Sequence, residues 1–200
     1  MFLGGRTLFP KLFQLLTPPF GCGNSTNEWR DCRRPQHRLD IEDCKDPEGF
    51  GNSLGEFHRL YGNTGANSLV GGRGNDVISG NSGSDLIYGG IGADRTYGGS
   101  GADRFVFKAL GESAGSSFDS IFDFAPSSGD RIDLSAIDAS TKFSGNQAFS
   151  FVGTAAFKGV AGELRYHKQA SDTFIYADVD GDKKADLMIH LDDVVTLTKD

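Results

Sequence analysis

The sequence predicts an all-β fold: a parallel β-solenoid, then a β-sandwich-like region or a continuation of the solenoid, behind an irregular N-terminal segment. Three observations predict it. A nine-residue Gly/Asp repeat runs through residues 62–106. Short apolar runs separated by Gly, Ser, Asp and Pro follow it. Long helical periodicity is absent. The expected organisation is an irregular segment over 1–50, a repeat region over 51–106 and a β-rich region over 107–200.

Residues 1–50 differ in kind from the rest. They hold Cys22, Cys32 and Cys44, the single Trp29 and five of the six Pro. Their 7 basic and 7 acidic residues cancel. The cysteine spacing matches no disulfide or metal pattern. Gly4, Gly5, Arg6 and Pro10 break the apolar run that a secretory signal peptide would need. The segment reads as an irregular tail or as an out-of-frame start.

The remaining chain carries the whole net charge of −7, with 20 acidic against 13 basic residues. That balance argues against a nucleic-acid partner and suits a cation-binding protein. No apolar run is long enough to span a membrane as a helix.

The repeat falls into five units: Gly62–Val70, Gly71–Ser79, Gly80–Tyr88, Gly89–Tyr97 and Gly98–Val106. Position 1 and position 4 are Gly in all five. Position 6 is Asn67, Asp76, Asp85, Asp94 and Asp103. Position 8 is Leu69, Ile78, Ile87, Thr96 and Phe105, with Thr96 the weak member. A fainter unit, Ser53–Tyr61, has His58 at position 6. This is the pattern G-G-x-G-x-D-x-U-x of calcium-binding parallel β-helices.

Glycine lets each turn pass through positive φ, so that carbonyl oxygens can face one side. The Asp at position 6 adds a carboxylate, and calcium takes six to eight oxygen ligands of this kind. The candidate ligands are the side chains of Asn67, Asp76, Asp85, Asp94 and Asp103. The backbone carbonyls of Gly72, Gly74, Gly83, Gly90, Gly92, Gly99 and Gly101 join them. Two units make one turn, so residues 18 apart stack: Asn67 on Asp85, Asp76 on Asp94, Asp85 on Asp103. Carboxylates about 4.8 Å apart repel by about 1 kcal/mol in water and 3–4 kcal/mol at an effective dielectric of 20. The repeat is therefore expected to be largely unfolded without calcium.

After the repeat, strands are expected at Phe105–Phe107, Ser120–Phe124, Arg131–Leu134, Phe149–Val152, Glu163–Tyr166, Thr173–Ala177 and Asp186–Leu191. Asp178, Asp180, Asp182 and Asp186 stand at positions 1, 3, 5 and 9 of an EF-hand-like loop. Ile189 replaces the expected Glu and Lys183 the expected Gly, so a calcium loop and a plain Asp-rich turn both stay open. Asp119, Asp123, Asp130 and Asp133 read as strand-edge and turn residues. His167 and His190 read as surface strand residues rather than a metal pair. No nucleophile elbow accompanies the Ser, His and Asp residues present.

The repeat resembles the RTX (repeats-in-toxin) proteins of Gram-negative bacteria. The stretches FVF (105–107), DSIFDF (119–124), GDRIDLSAID (129–138), AGELRY (161–166) and YADVDGDKKADLMIHL (176–191) narrow the likeness. With them, about residues 59–200 resemble the C-terminal domain of serralysin-type (M10) secreted metalloproteases. The resemblance implies a parallel β-roll binding calcium between its turns. It implies export by a type I secretion apparatus and calcium-triggered folding outside the cell, as a monomer.

Three features depart from the family. No H-E-x-x-H is present, and His37, His58, His167 and His190 are far apart, so no catalysis is expected of this chain. The chain stops at Asp200 after Thr198 and Lys199, without the acidic-then-apolar tail usual in the family. Residues 1–50 match nothing in it. A fragment of a secreted zinc metalloprotease and a structural or adhesin RTX protein are the alternative readings.

Overall fold

The computed structural model describes residues 57–199 and, apart from these, the backbone of one two-residue ladder. In that ladder β1 (Cys22–Gly23) pairs antiparallel with β2 (Trp29–Arg30). It lies in one unit of the chain, Met1–Arg34; everything below concerns the other, Pro35–Asp200. The other expectations for residues 1–50 lie outside the described residues.

Each repeat unit forms one short strand. These are β3 (Arg59–Tyr61), β4 (Ser68–Arg73), β5 (Val77–Ser79), β6 (Leu86–Ile91), β7 (Arg95–Tyr97) and β8 (Arg104–Val106). Successive strands alternate between two sheets, because a Gly-rich turn reverses the chain after each one. Pairing within each sheet is parallel and offset by 18 residues: Ser68 faces Leu86, Leu86 faces Arg104, and Val77 faces Arg95. This is a parallel β-roll of two units per turn.

The period decides what is buried. Leu69, Ile78, Ile87 and Phe105 point between the sheets with no more than 2% of their surface exposed. Thr96 occupies the same row, and its hydroxyl donates to the Ser120 carbonyl at 3.2 Å. That bond removes the cost of burying a hydroxyl among aliphatic side chains.

The roll does not end with the repeat. β9 (Asp119–Ile121) pairs parallel with β7, and β10 (Arg131–Asp133) pairs parallel with β8. The strands β11 (Ser150–Phe151), β12 (Glu163–Lys168), β13 (Thr173–Asp178) and β14 (Leu187–Leu191) complete the fold. One sheet reads β10-β8-β6-β4 and the other β11-β12-β13-β14-β9-β7-β5-β3. The roll and the C-terminal strands thus share a sheet. They also share one core, in which Ile87 and Phe105 cluster with Ile121, Phe124, Ile175, Leu187 and Ile189. All seven apolar runs expected after the repeat are strands, β8 to β14. Among the described residues, the other regular elements are short 3-10 turns at Leu110–Glu112 and Pro126–Ser128. No helix among them is long and apolar enough to cross a membrane.

Candidate metal centre

The Asp side chains at position 6 form two ladders, one along each edge of the roll. On the first edge the Asp76 N–H donates to Asp94 Oδ1 at 2.7 Å, and the Asp94 N–H to Asp119 Oδ1 at 2.8 Å. On the second, the Asn67 N–H donates to Asp85, Asp85 to Asp103 and Asp103 to Asp130, at 2.7, 2.8 and 2.9 Å. Each carboxylate therefore uses one oxygen to tie its turn to the preceding one.

The other oxygen is the informative one. Oδ2 of Asp76, Asp85, Asp94 and Asp103 is buried and accepts no hydrogen bond from the protein. A buried, ionised oxygen without a donor is strongly unfavourable unless a cation meets it. The ends of the second ladder avoid the problem. Asn67 Oδ1 accepts the Asn63 N–H at 2.7 Å, and its Nδ2 donates to Asn63 Oδ1 at 3.3 Å. Asp130 Oδ2 accepts the Ala125 N–H at 2.9 Å. At the start of the first edge, the His58 N–H donates to Asp76 Oδ1 at 2.8 Å, and His58 Nδ1 lies 3.0 Å from the same oxygen.

Two of the orphan oxygens, those of Asp76 and Asp85, lie beside backbone carbonyls. A Cβ on Gly71 would sit 2.5 Å from both Asp76 Oδ2 and the Gly89 carbonyl oxygen. A Cβ on Gly80 would sit 2.2 Å from Asp85 Oδ2 and 2.5 Å from the Gly98 carbonyl oxygen. Only glycine leaves these cradles open. The carbonyls beside the orphan oxygens thus belong to position 1 of the unit one turn later. The carbonyls of Gly72, Gly74 and Gly83 instead face Gly90, Gly92 and Gly101 of the following turn. The donor set is all oxygen and carries formal negative charge, which fits a hard divalent cation such as calcium.

Burial drives the electrostatics. It pushes the Asp85 and Asp94 carboxyls up to about 6, against the lowering effect of the N–H bonds they accept. It raises Asp103 in the same way, with help from the charges of Asp130 and Asp123. Asp119 is pushed up to about 8, first by burial and then by the charges of Asp94, Glu112 and Asp76. Glu112 is itself buried, with the Tyr88 hydroxyl donating to it at 2.6 Å and the Lys108 N–H at 2.7 Å.

Asp119 and Asp130 are ladder residues, where strand-edge and turn positions were expected. The insertions before them stretch the spacing from 18 to 25 and 27 residues and hide the repeat. A faint signal remains: Asp119 and Asp130 each stand two residues before an Ile, as Asp76 and Asp85 do. Asp133 ends β10 and accepts the Ser135 N–H at 2.9 Å. Asp123 closes the last glycine turn by accepting the N–H groups of Gly98 and Gly99, both at 2.8 Å. Asp123→Ala is expected to lower stability by about 2 kcal/mol in urea denaturation, through loss of two charge-assisted bonds.

In the EF-hand-like loop, Asp178, Asp180 and Asp186 bring carboxylate oxygens within 4.8 Å of one another. Asp182 turns instead onto Lys184, whose N–H and Nζ it binds at 2.7 and 2.9 Å. Both Asp178 oxygens already accept backbone bonds, from Gly181 and Lys183. The loop is therefore closed by its own backbone, unlike the ladders.

A family model described as Peptidase M10 serralysin C terminal matches residues 61–200. Among solved structures, the chain is similar to two subunits of the Azotobacter vinelandii mannuronan C5-epimerase. The AlgE6R3 subunit is 28% identical, with 70% of this chain and 74% of that chain covered and a TM-score of 0.48. The AlgE6R2 subunit is 25% identical, with 74% and 88% covered and a TM-score of 0.47. Comparison with curated proteins finds no match.

Proposed function

The chain belongs to the serralysin C-terminal family of the M10 peptidases, and from that premise we propose that it is a calcium-binding module whose β-roll folds on taking up the ion. The observation that carries this reading is the set of four buried Oδ2 atoms, on Asp76, Asp85, Asp94 and Asp103, with no protein donor. Calcium supplies the positive charge that these oxygens lack. The residues do the rest. Each Oδ1 holds the turns in register through a backbone N–H, and the glycine cradles at Gly71 and Gly80 keep an Oδ2 and a neighbouring carbonyl close together.

The biological role we propose is secretion followed by folding. In a compartment poor in calcium the stacked carboxylates repel and oppose the roll, so the chain stays extended enough for a type I secretion apparatus. Outside the cell, calcium reverses that balance and the module folds with whatever precedes it. The fold family and the placement of the acidic surplus in residues 51–200 support this sequence of events.

Calcium titration of wild type and Asp94→Asn, followed by circular dichroism, tests the reading. The Asn keeps an oxygen for the Asp76 N–H but removes the charge. Its folding midpoint is expected to move at least tenfold toward higher calcium. An unchanged midpoint would sink the proposal.

A further inference from the structure

We propose that Asp172, His190 and Asp192 form a second metal site, separate from the aspartate ladders, that takes a first-row divalent transition ion of the zinc class. Each of the three side chains offers one ligand atom, and these atoms all lie within 4.8 Å of one another. One imidazole nitrogen with two carboxylates is a donor set that zinc and its neighbours accept, whereas calcium sites are built from oxygen.

The fold brings these residues together from separate places. His190 is in β14, and Asp192 lies two residues on, so both point to the same face. The Asp192 N–H donates to the Ile121 carbonyl at 3.0 Å, which extends the pairing of β14 with β9 past the strand end. Asp172 ends the turn between β12 and β13. Thr173 faces Leu191 across the ladder, so the preceding Asp172 comes alongside Asp192.

The histidine is held in one orientation. Its Nε2 lies 3.1 Å from Asp172 Oδ1, and its Nδ1 lies 3.0 Å from Ser120 Oγ. The ring packs against Phe174 and Phe118, with centroids 4.8 and 6.1 Å apart, and its side chain is only 15% exposed. A serine oxygen that accepts Nδ1–H leaves the Nε2 lone pair for an ion between the two carboxylates. This is the outer-shell bond that metal-binding histidines commonly make.

With the proton on Nε2 instead, Ser120, His190 and Asp172 form a hydrogen-bonded chain like that of a nucleophilic hydrolase. The backbone of Ser120 itself offers no oxyanion donor for that use. Its N–H donates to the Asp94 carbonyl at 2.8 Å, and its strand is paired on both sides, by β7 and β14. No amide is left there to stabilise an oxyanion, so Ser120 serves His190 as a positioning residue.

The test is zinc binding by calorimetry on the full chain in saturating calcium, with the three cysteines alkylated so that they cannot compete. One zinc equivalent is expected. His190→Gln and Asp192→Asn are each expected to weaken it at least tenfold, with circular dichroism unchanged. Asp180→Asn, in the acidic loop at the opposite end of the β13–β14 hairpin, is expected to leave it unaltered. The exposed Asp192 keeps the test valid should His190→Gln disturb packing. Cobalt(II) gives a second readout: a visible absorption band present in wild type and lost in Asp192→Asn. Wild type without saturable zinc uptake, or equal affinity in wild type and Asp192→Asn, overturns the proposal. Because calcium is saturating throughout, such a failure leaves the calcium-folding reading untouched.

Discussion

In excess chelator at neutral pH the full chain is expected to lose most of its β-sheet circular dichroism signal, and calcium is expected to restore it. The cause lies in the four orphan oxygens. Each stacked carboxylate pair opposes the roll by about 3–4 kcal/mol at an effective dielectric of 20. In return, each occupied site stabilises by about 2.7 kcal/mol at calcium 100 times its dissociation constant.

The pH dependence without calcium has a definite sign. Asp85 and Asp94 rise from the ordinary 3.8 to about 6, and Asp119 to about 8. The folded state thus holds protons more tightly than the unfolded chain. Their contribution to the ion-free fold is fully present below 3.8 and is lost as pH rises through about 6 and then about 8. In chelator, β-structure should therefore be greater in mild acid than at neutral or basic pH. In calcium the order reverses, because protons compete with the ion for the same oxygens. Full β-structure in chelator at basic pH would contradict this account of the ladders.

Gly90→Ala is expected to be far more damaging than Gly72→Ala, although both glycines occupy position 2 of their units. Their backbone angles nearly coincide, with φ of 104° and 106°, so the left-handed conformation costs an alanine the same at each. That shared cost is about 1 kcal/mol. Their surroundings differ. A Cβ on Gly90 would lie 2.0 Å from the Gly72 carbonyl oxygen, whereas a Cβ on Gly72 would meet nothing within 4 Å. The clash is with backbone, which moves only if the two turns separate. Gly90→Ala should thus lose on the order of 3–4 kcal/mol in total, by overpacking added to strain. It should also shift the calcium midpoint strongly. Equal urea midpoints for the two variants would show that turn-to-turn approach does not limit the roll.

Much of this fold was legible because a solenoid repeats a local rule. Every position 8 residue from Leu69 to Phe105 is buried, and the stacking offset of 18 follows from two nine-residue units per turn. The ladder Asn67–Asp85–Asp103 and the pair Asp76–Asp94 were readable for the same reason. Asp119 and Asp130 were not, since pairing across 25 and 27 residues depends on where the inserted loops return the chain. Nor could spacing say which carbonyls lie beside the orphan oxygens. That depends on the direction each glycine turn takes.

The amino-acid order alone sets the roll, its inward row and the charge along its edges, because each depends on neighbours within one or two repeat units. Two things come only from the tertiary structure. One is that β9 and β10 extend the ladders, so the last aspartates are buried and Asp119 lies beside β14. The other is the meeting of Ser120, Asp172 and His190, two of them 70 residues apart. Contacts at that separation depend on which strands become neighbours in the sheet, and the shared core decides that.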